Sequence, residues 1–301
     1  YGENPHQKAK IYKISEPHLT GFSYSQLSGK ALSFNNLVDT ESAFSCVEQL
    51  RDPSCVIVKH ANPCGAASAK NLDRAYDFAY KTDPTSAFGG IIAFNKRVNS
   101  GLIKKIIDKQ FVEVIAAPSF DKKCIEVVKK KPNIRVLEVK LKDKGDSVYE
   151  LKSLRDKLLI QEKDEINITR KALSVVTDKK PTPKQIDDML FAFKISRYVK
   201  SNAIVFVKNK KTLAIGAGQM SRIDSTNIAF NKSKRENISL KGSIMASEAF
   251  FPFRDNVDLA KKIGVSAILQ PGGSMNDKKI IDVANQYNLT MCFSNTRVFK
   301  H

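Results

Sequence analysis

Short, almost wholly apolar runs recur along the chain and alternate with segments in which apolar residues have helical spacing. The runs at 56–58, 91–94 and 112–117 are typical of strands buried on both faces of a sheet. Two further runs, 203–207 and 213–215, are separated by a polar Lys-Asn turn. This alternation predicts an α/β protein in which helices cover the strands.

A helix start is predicted at Thr182. Pro183 follows at the first helical position, and Gln185 stands where its side chain can reach back to the capping residue. The apolar residues that follow share one helix face, which predicts core packing rather than a cofactor site. They are Ile186, Met189, Leu190 and Phe193.

The C-terminal part has the clearest pattern of elements. A helix is predicted to end at Gly264, a strand to occupy 265–269, and a Gly-rich turn at 271–274 to lead into a helix capped by Ser274. A last strand is predicted at 289–293. A strand, helix and strand in this order predict a parallel crossover.

Lys59 and His60 end the first apolar run and are the most informative pair in the chain. Asn62 with its following proline, and then Gly65, favour a turn, and the Ala-rich segment beyond has helical spacing, so we expect strand, turn and helix. Ligands of open α/β sheets usually bind at the carboxyl ends of strands. Because imidazole titrates near neutral pH, His60 is a candidate base, and Lys59 is suited to stabilising negative charge on a carbonyl oxygen. The alternative is a Lys-His pair without chemistry.

Four other segments carry weaker signals, each with a purely structural alternative. Gly89 and Gly90 would let a ligand approach the backbone or would simply form a turn. Glu113 interrupts an apolar strand and faces either solvent or a polar ligand. The loop 216–222 suits a phosphate but matches neither the P-loop nor the dinucleotide fingerprint. The phenylalanines of 250–253 would form an aromatic slot or pack in the core.

Length predicts two lobes, because single cores stop growing near about 250 to 300 residues and the chain has 301. The Lys-rich segment 119–172 is the predicted join, and the alternation at 134–139 within it predicts an edge strand. We place the first lobe, with the Lys-His pair, at 1–150. The second, at 151–301, carries the 216–222 loop, the phenylalanines and the Pro-Gly-Gly-Ser turn.

Composition narrows the class of protein. No run of about eighteen apolar residues and no export signal is present, so we expect a cytoplasmic protein without a membrane partner. Five cysteines without CxxC spacing and four scattered histidines argue against a disulfide framework and a zinc site. We therefore expect no catalytic metal.

The formal charge of +19 makes a basic, non-catalytic binding module, for example for RNA, the alternative function. The types of basic and aromatic residue do not favour this alternative. Only eleven of the fifty basic residues are Arg, Trp is absent, and no Arg-aromatic stripe occurs. Dispersed lysines are typical of a solvated surface, so we expect no nucleic-acid partner, although a positive field attracts small anions.

Seven motifs in order resemble the transformylase domain of AICAR transformylase/IMP cyclohydrolase proteins. They are 1–7, 58–65, 83–90, 199–204, 216–222, 249–253 and 270–274. The resemblance implies transfer of a formyl group from 10-formyltetrahydrofolate to the 5-amino group of AICAR, giving FAICAR. It also implies a three-layer α/β/α fold of two related cytidine-deaminase-like lobes with mixed sheets, and a homodimer with active sites at its interface. The folate is a cosubstrate, and no metal is implied.

The same resemblance assigns roles to individual residues. Lys59 stabilises the transition state and His60 helps to deprotonate the amine, in agreement with their chemistry. Residues matched to AICAR contacts are Tyr1, Gly89, Glu113, Asn202, Arg222, Phe250 and Arg297. Residues matched to folate contacts are Ile223, Asp255, Ser274 and Met275.

Several departures from the family pattern are visible. Family members have Leu-Arg before Tyr1, with the arginine on the AICAR phosphate, and a cyclohydrolase domain upstream. We therefore expect a fragment that does not close FAICAR to IMP, although the parent protein would. Glu248 replaces the usual Asp, which moves a carboxylate by one methylene, and 154–157 lacks a usual Gly-Gly.

Overall fold

Two six-stranded sheets organise the protein in a computed structural model, which describes residues 2–12, 22–140 and 149–301. Both sheets combine parallel and antiparallel strand pairs and have helices on their two faces. The predicted α/β class with mixed sheets in α/β/α layers is confirmed.

The first sheet and its helices come from the N-terminal half. Its strands are β1 (Tyr24–Ser28), β2 (Ser54–Lys59), β3 (Asn62–Ser68), β4 (Gly90–Phe94), β5 (Val112–Ala117) and β6 (Arg135–Val139). Its helices are α1 (Phe34–Glu48), α2 (Leu72–Thr82), α3 (Pro84–Ala87), α4 (Ser100–Lys109) and α5 (Lys122–Val128).

The second sheet follows a separate hairpin made of β7 (Tyr149–Leu154) and β8 (Lys157–Glu162). Its strands are β9 (Ser174–Val175), β10 (Ile204–Val207), β11 (Thr212–Gly216), β12 (Ile244–Ser247), β13 (Ala267–Gln270) and β14 (Thr290–Phe293). Its helices are α6 (Pro183–Ser196), α7 (Arg222–Arg235), α8 (Asp255–Ile263) and α9 (Asp277–Gln286).

The two sheets have the same topology. The first runs β1-β6-β5-β4-β2-β3, and the second, read from the opposite edge, runs β9-β14-β13-β12-β10-β11. In each, a hairpin lies antiparallel to the first of three parallel strands, and an antiparallel strand closes the other edge. Two lobes built on one repeated pattern are therefore present, as predicted. Their boundary at 150 and their likeness to cytidine deaminases stay predictions.

Helices α1 and α6 lie between the sheets. Their apolar side chains, such as Phe44 and Phe191, share one core with the inner faces of both sheets. The outer faces are covered by α2, α4 and α5 in the first lobe and by α7, α8 and α9 in the second. The hairpin edges also meet, since Ala67 forms an isolated bridge with Lys211. The lobes are thus packed against each other along a shared core and a shared edge.

The expected helix after the Lys-His turn was wrong. Asn62–Ser68 forms strand β3, paired with β2. Gly65 explains the error, because a Cβ atom there would lie 2.0 Å from the carbonyl oxygen of Ala79 on α2. The small residues of this strand let a helix pack closely on it and do not signal helix formation.

Two smaller predictions also need correction, while the cap predictions at Thr182 and Gly264 are confirmed. The strand at 134–139 is not an edge, because β6 pairs with both β5 and β1. Ser274 does not cap the last helix; α9 starts at Asp277, and Ser274 Oγ instead accepts the Asn276 amide at 3.1 Å. The parallel pairing of β13 with β14 is confirmed.

None of the helices in the described residues is long and apolar enough to cross a membrane. Within the same residues, no three His, Cys, Asp or Glu side chains are grouped so that they could hold a metal ion.

Candidate active site

Lys59 and His60 lie at the tip of the β2–β3 hairpin. Lys59 pairs with Asn62 across the turn, and the two residues between them, His60 and Ala61, have φ values of 53° and 57°. Positive φ at both central positions is the geometry of a type I′ turn, which usually needs Asn or Gly. His60 is exposed at this turn. The chain thus holds a histidine in the left-handed region, where residues other than glycine are uncommon.

The Lys59 ammonium is oriented by the loop before β4. Nζ donates to the carbonyl oxygens of Phe88 at 3.0 Å and Gly89 at 3.1 Å. Gly89 has a φ of 67°, which favours glycine, and a Cβ there would lie 3.0 Å from Lys59 Nζ and would push the ammonium away. Two of the three ammonium donors are therefore engaged by these carbonyls, and no described contact accounts for the third.

Glu113 lies at the same edge of the sheet, near the start of β5. Its Oε2 accepts from Asn36 Nδ2 at 2.7 Å. The Gly89 amide donates to the Phe111 carbonyl at 2.9 Å, which fixes the loop carrying Gly89 to the segment that precedes Glu113. The structure therefore brings Lys59, Gly89 and Glu113 to one edge.

That edge differs from the expected one. The turn follows the carboxyl end of β2, but β2 runs antiparallel to β4, so the turn lies at the amino end of the parallel strands. In the second lobe, by contrast, the predicted residues lie at the carboxyl ends of the parallel strands β12, β13 and β14. Asn202 precedes β10, which runs antiparallel to β12. The other predicted residues lie on the loops that follow β11, β12, β13 and β14. The predicted site residues therefore lie at the carboxyl ends of the parallel strands in only one lobe.

Arg222 is the centre of the second group of residues. Its side chain is 7% exposed, and Nη1 donates to Glu248 Oε2 at 2.6 Å and to Ser247 Oγ at 2.9 Å. Nη2 donates to Asn202 Oδ1 at 2.8 Å. The side-chain amide nitrogen of Asn202, Nδ2, in turn donates to the backbone carbonyls of Gln219 and Met220 at 2.9 and 3.0 Å. This network fixes the 216–222 loop and satisfies the described polar groups of Asn202.

The remaining predicted residues of the second lobe lie on the loops and helix starts that follow its strands. Ile223 follows Arg222 on α7, Phe250 is 39% exposed after β12, and Asp255 starts α8. Ser274 and the fully exposed Met275 precede α9. The guanidinium of Arg297 stacks on Phe299, 4.6 Å from its ring centroid. Tyr1 lies outside the described residues.

Two described contacts join the groups of the two lobes. The Lys200 amide donates to Asn62 Oδ1 at 2.9 Å, so the end of the Lys-His turn touches the segment that leads to Asn202. Beside this segment is a hollow of about 280 Å³ lined by Asn202, the 218–220 loop, Phe299 and His301. A larger cavity of about 570 Å³ lies beside Phe88 and Phe111.

Helix α7 forms the second link. It begins at Arg222, and near its other end Lys232 and Arg235 contact the buried Asp83 at 3.0 and 2.8 Å. Asp83 caps α3 through the Ser86 amide, directly before the loop that carries Gly89. One helix therefore connects residues of both groups.

Comparison with known sequences identifies the family of the chain. A profile of the AICARFT/IMPCHase bienzyme matches residues 1–232. The chain belongs to the AICARFT/IMPCHase bienzyme family. It is also 47% identical over 302 residues to the bifunctional purine biosynthesis protein PurH of Xanthomonas oryzae pv. oryzae. That alignment covers 100% of this chain and 57% of the relative, so the chain spans little more than half of the relative's length.

Sequence reasoning missed several residues that support the site in this AICARFT/IMPCHase chain. Asn36 holds Glu113, Asp39 Oδ1 accepts the Ala61 amide at 2.7 Å, and Ser42 Oγ donates to the Ala61 carbonyl at 3.1 Å. All three lie on α1, a segment in which no motif was identified from the sequence. Their contacts are formed with residues distant in sequence, so no local motif marks them.

Proposed function

We propose that this chain transfers the formyl group of 10-formyltetrahydrofolate to the 5-amino group of AICAR, giving FAICAR. Family membership supports the reaction class, and the orientation of Lys59 at the His60 turn is the observation that carries the mechanism. The family resemblance implies a folate as the donor. Because such a donor carries the formyl group already activated, the protein contributes position and charge.

His60 takes a proton from the AICAR amine as its nitrogen attacks the formyl carbon. The new C–N bond forms, and the carbonyl oxygen becomes an oxyanion. The third donor of the Lys59 ammonium stabilises this oxyanion. The bond from the formyl carbon to N10 of the folate then breaks, and the proton is passed to N10, which leaves as tetrahydrofolate.

The second group is proposed to bind the substrates. Because Arg222 is buried and paired with Glu248, its charge is largely compensated, and we assign it the role of fixing Asn202 and the 216–222 loop. The exposed Arg297 is then better placed to meet the AICAR phosphate. Gly89, Glu113 and Phe250 complete the proposed AICAR contacts. Ile223, Asp255, Ser274 and Met275 are the proposed folate contacts.

A homodimer is also proposed, and it is supported by a set of exposed apolar side chains on the same loops as these residues. Phe88 and Phe253 are 63% and 65% exposed, and Met220 is 96% exposed. Apolar side chains gathered at one region of a surface mark ligand or protein contacts. A second copy of the chain would cover part of them and complete each site. A cytoplasmic location is also a proposal, and so is cyclohydrolase activity in a protein that carries this chain beside a cyclohydrolase domain.

The test is a folate absorbance assay with AICAR and 10-formyltetrahydrofolate. His60→Ala is expected to lower kcat by ~10² to 10⁴ while the protein stays folded. Asn209→Ala is the matched control, because Asn209 occupies the same turn position in the second lobe, with a φ of 57°, and is expected to keep wild-type turnover.

Near-full turnover of His60→Ala would disprove the role of His60. An inactive wild type would overturn the activity, provided that a longer chain with the residues before Tyr1 is inactive too. Salt-dependent RNA binding that survives His60→Ala and Arg222→Ala would support the binding-module alternative.

A further inference from the structure

The same side-chain clamp occurs at the hairpin turn of both lobes. Helices α1 and α6 each begin with a capping box, at Ser33 and at Thr182. Six residues beyond each capping residue stands an aspartate, Asp39 on α1 and Asp188 on α6. Each aspartate reaches the hairpin turn that follows its helix.

In the second lobe the clamp is complete. Asp188 Oδ2 accepts the Asn209 amide at 2.9 Å, and Asp188 Oδ1 accepts the Lys210 amide at 2.7 Å. These two residues have φ values of 57° and 53°, so they form the same type of turn as His60 and Ala61. The turn carries none of the residues assigned to the site. The clamp therefore belongs to the repeated fold.

In the first lobe the clamp holds the histidine. Asp39 Oδ1 accepts the Ala61 amide at 2.7 Å, and Ser42 Oγ donates to the Ala61 carbonyl at 3.1 Å. Partial burial raises the pKa of Asp39. Two influences oppose this rise: the backbone amides of Ala61 and His60 donate hydrogen bonds, and the side chains of His60 and Lys59 carry positive charge nearby. The half-buried carboxylate thus lies against the turn, in contact with the Ala61 amide.

The strain of the turn gives the clamp a physical purpose. Residues other than glycine occupy the left-handed region only where the surrounding structure holds them there, and this turn has two such residues in succession. Hydrogen bonds to a charged group are stronger than those between neutral groups. The contact made by the Asp39 carboxylate is therefore suited to holding the turn in place.

We propose that Asp39 is a positioning residue for the formyl transfer, because it clamps the His60–Ala61 turn and thereby holds the His60 imidazole against the substrate amine. This inference rests on the proposed function. Without the clamp, both residues are free to return to ordinary backbone angles. The imidazole then moves, and a misplacement of about 1 Å costs on the order of 10²-fold in rate.

The expected signature is a fall in kcat with little change in KM. The proposed AICAR and folate contacts lie mainly in the second lobe, and Asp39 touches none of their residues among the described contacts. We expect Asp39→Ala to lower kcat by roughly 10- to 100-fold and to change KM by less than about threefold. Asp39→Asn keeps one acceptor oxygen and should recover part of the lost kcat.

Asp188→Ala and Asp188→Asn are the matched controls, because they remove the same clamp from the turn without site residues. They are expected to lose comparable stability but to keep kcat within about twofold. A wild-type kcat in Asp39→Ala would overturn the proposal. An equal fall of kcat in the Asp39 and Asp188 variants would also overturn it. If Asp39→Ala does not fold, the comparison is made between Asp39→Asn and Asp188→Asn, and a fall of kcat in Asp39→Asn alone is again the expected result.

A second measurement separates this proposal from the proposed function. Hydrogen exchange of the Ala61 amide and the NMR signals of the His60 ring need no substrate. If the wild type shows no formyl transfer, the proposed function fails. Faster Ala61 exchange and shifted His60 signals in Asp39→Ala would then still support the clamp, and unchanged exchange and signals would overturn it.

Discussion

Removal of the Glu248 carboxylate is expected to destabilise the protein far more than removal of an exposed carboxylate. The Glu248 side chain is 0% exposed and that of Arg222 7% exposed, and Nη1 and Oε2 are 2.6 Å apart. Glu248→Ala leaves the guanidinium buried with Ser247 and Asn202 as its described acceptors, neither of which is charged. Breaking a buried pair in this way costs about 3–5 kcal/mol.

Urea and thermal unfolding measure this cost without any assumption about activity. A loss of 3–5 kcal/mol corresponds to a fall in Tm on the order of 10 °C for a protein of this size. Glu248→Asp should cost less, since it shortens the side chain by one methylene and keeps the charge. A Glu248→Met, Arg222→Met double variant should cost less than the sum of the single changes, because it leaves no unpaired charge.

Asp258→Ala is the control for this prediction. Asp258 pairs with Arg254 at 2.9 Å, but the two side chains are 38% and 55% exposed. Exposed pairs usually contribute about 0–1 kcal/mol, and this one is expected near the upper end because it is bidentate and Asp258 also accepts from the Tyr287 hydroxyl. A Glu248→Ala variant that loses no more stability than Asp258→Ala would refute the argument that burial makes the Arg222 pair costly to break.

Three further predictions concern the backbone and pH. Ala61→Gly should raise the free energy of unfolding by about 1 kcal/mol, because glycine adopts its φ of 57° without strain, as urea unfolding would show. Gly65→Ala should cost about 3 kcal/mol or more, because its Cβ would lie 2.0 Å from the Ala79 carbonyl oxygen; a melting temperature equal to the wild type would contradict this. Burial alone would raise the pKa of Asp83, but the Ser86 hydrogen bonds and the Lys232 charge outweigh it and leave the pKa below its ordinary value. The stabilisation by the Asp83 carboxylate is therefore fully present above about pH 4 and is lost as the pH falls through the lower pKa of the folded state. Asp83→Asn should reduce the acid-induced loss of unfolding free energy, measured by urea unfolding at a series of pH values. The same pH dependence in the variant and the wild type would count against this prediction.

Local patterns predicted the elements that local physics determines. Thr182 and Gln185 form the predicted capping box, and Gly264 ends its helix in the left-handed conformation, with a φ of 84°. Gly65 was misread because its purpose is the approach of α2, and such a contact leaves no local signal. The position of the strand at 134–139 in its sheet was misread for a similar reason. Its partner β1 lies more than a hundred residues earlier in the chain.

The candidate site was predictable to a similar extent. Motifs and chemistry identified Lys59 and His60, but neither the backbone strain at His60 nor the clamp from Asp39 follows from spacing along the chain. The resemblance also placed Arg222 among the AICAR contacts, whereas its burial against Glu248 supports an orienting role. Long-range partners are the part that needed the structure.

Helix α7 has a consequence for how far the chain can be altered. Its 14 residues span roughly 20 Å and fix the separation between the Gly89 loop and the second group of residues. The peptide that joins the lobes is then not needed to set this separation. The exposed turn between β7 and β8, at Arg155 and Asp156, is a suitable place to cut the chain. Two separately expressed fragments that meet there should reassociate and regain the complete site.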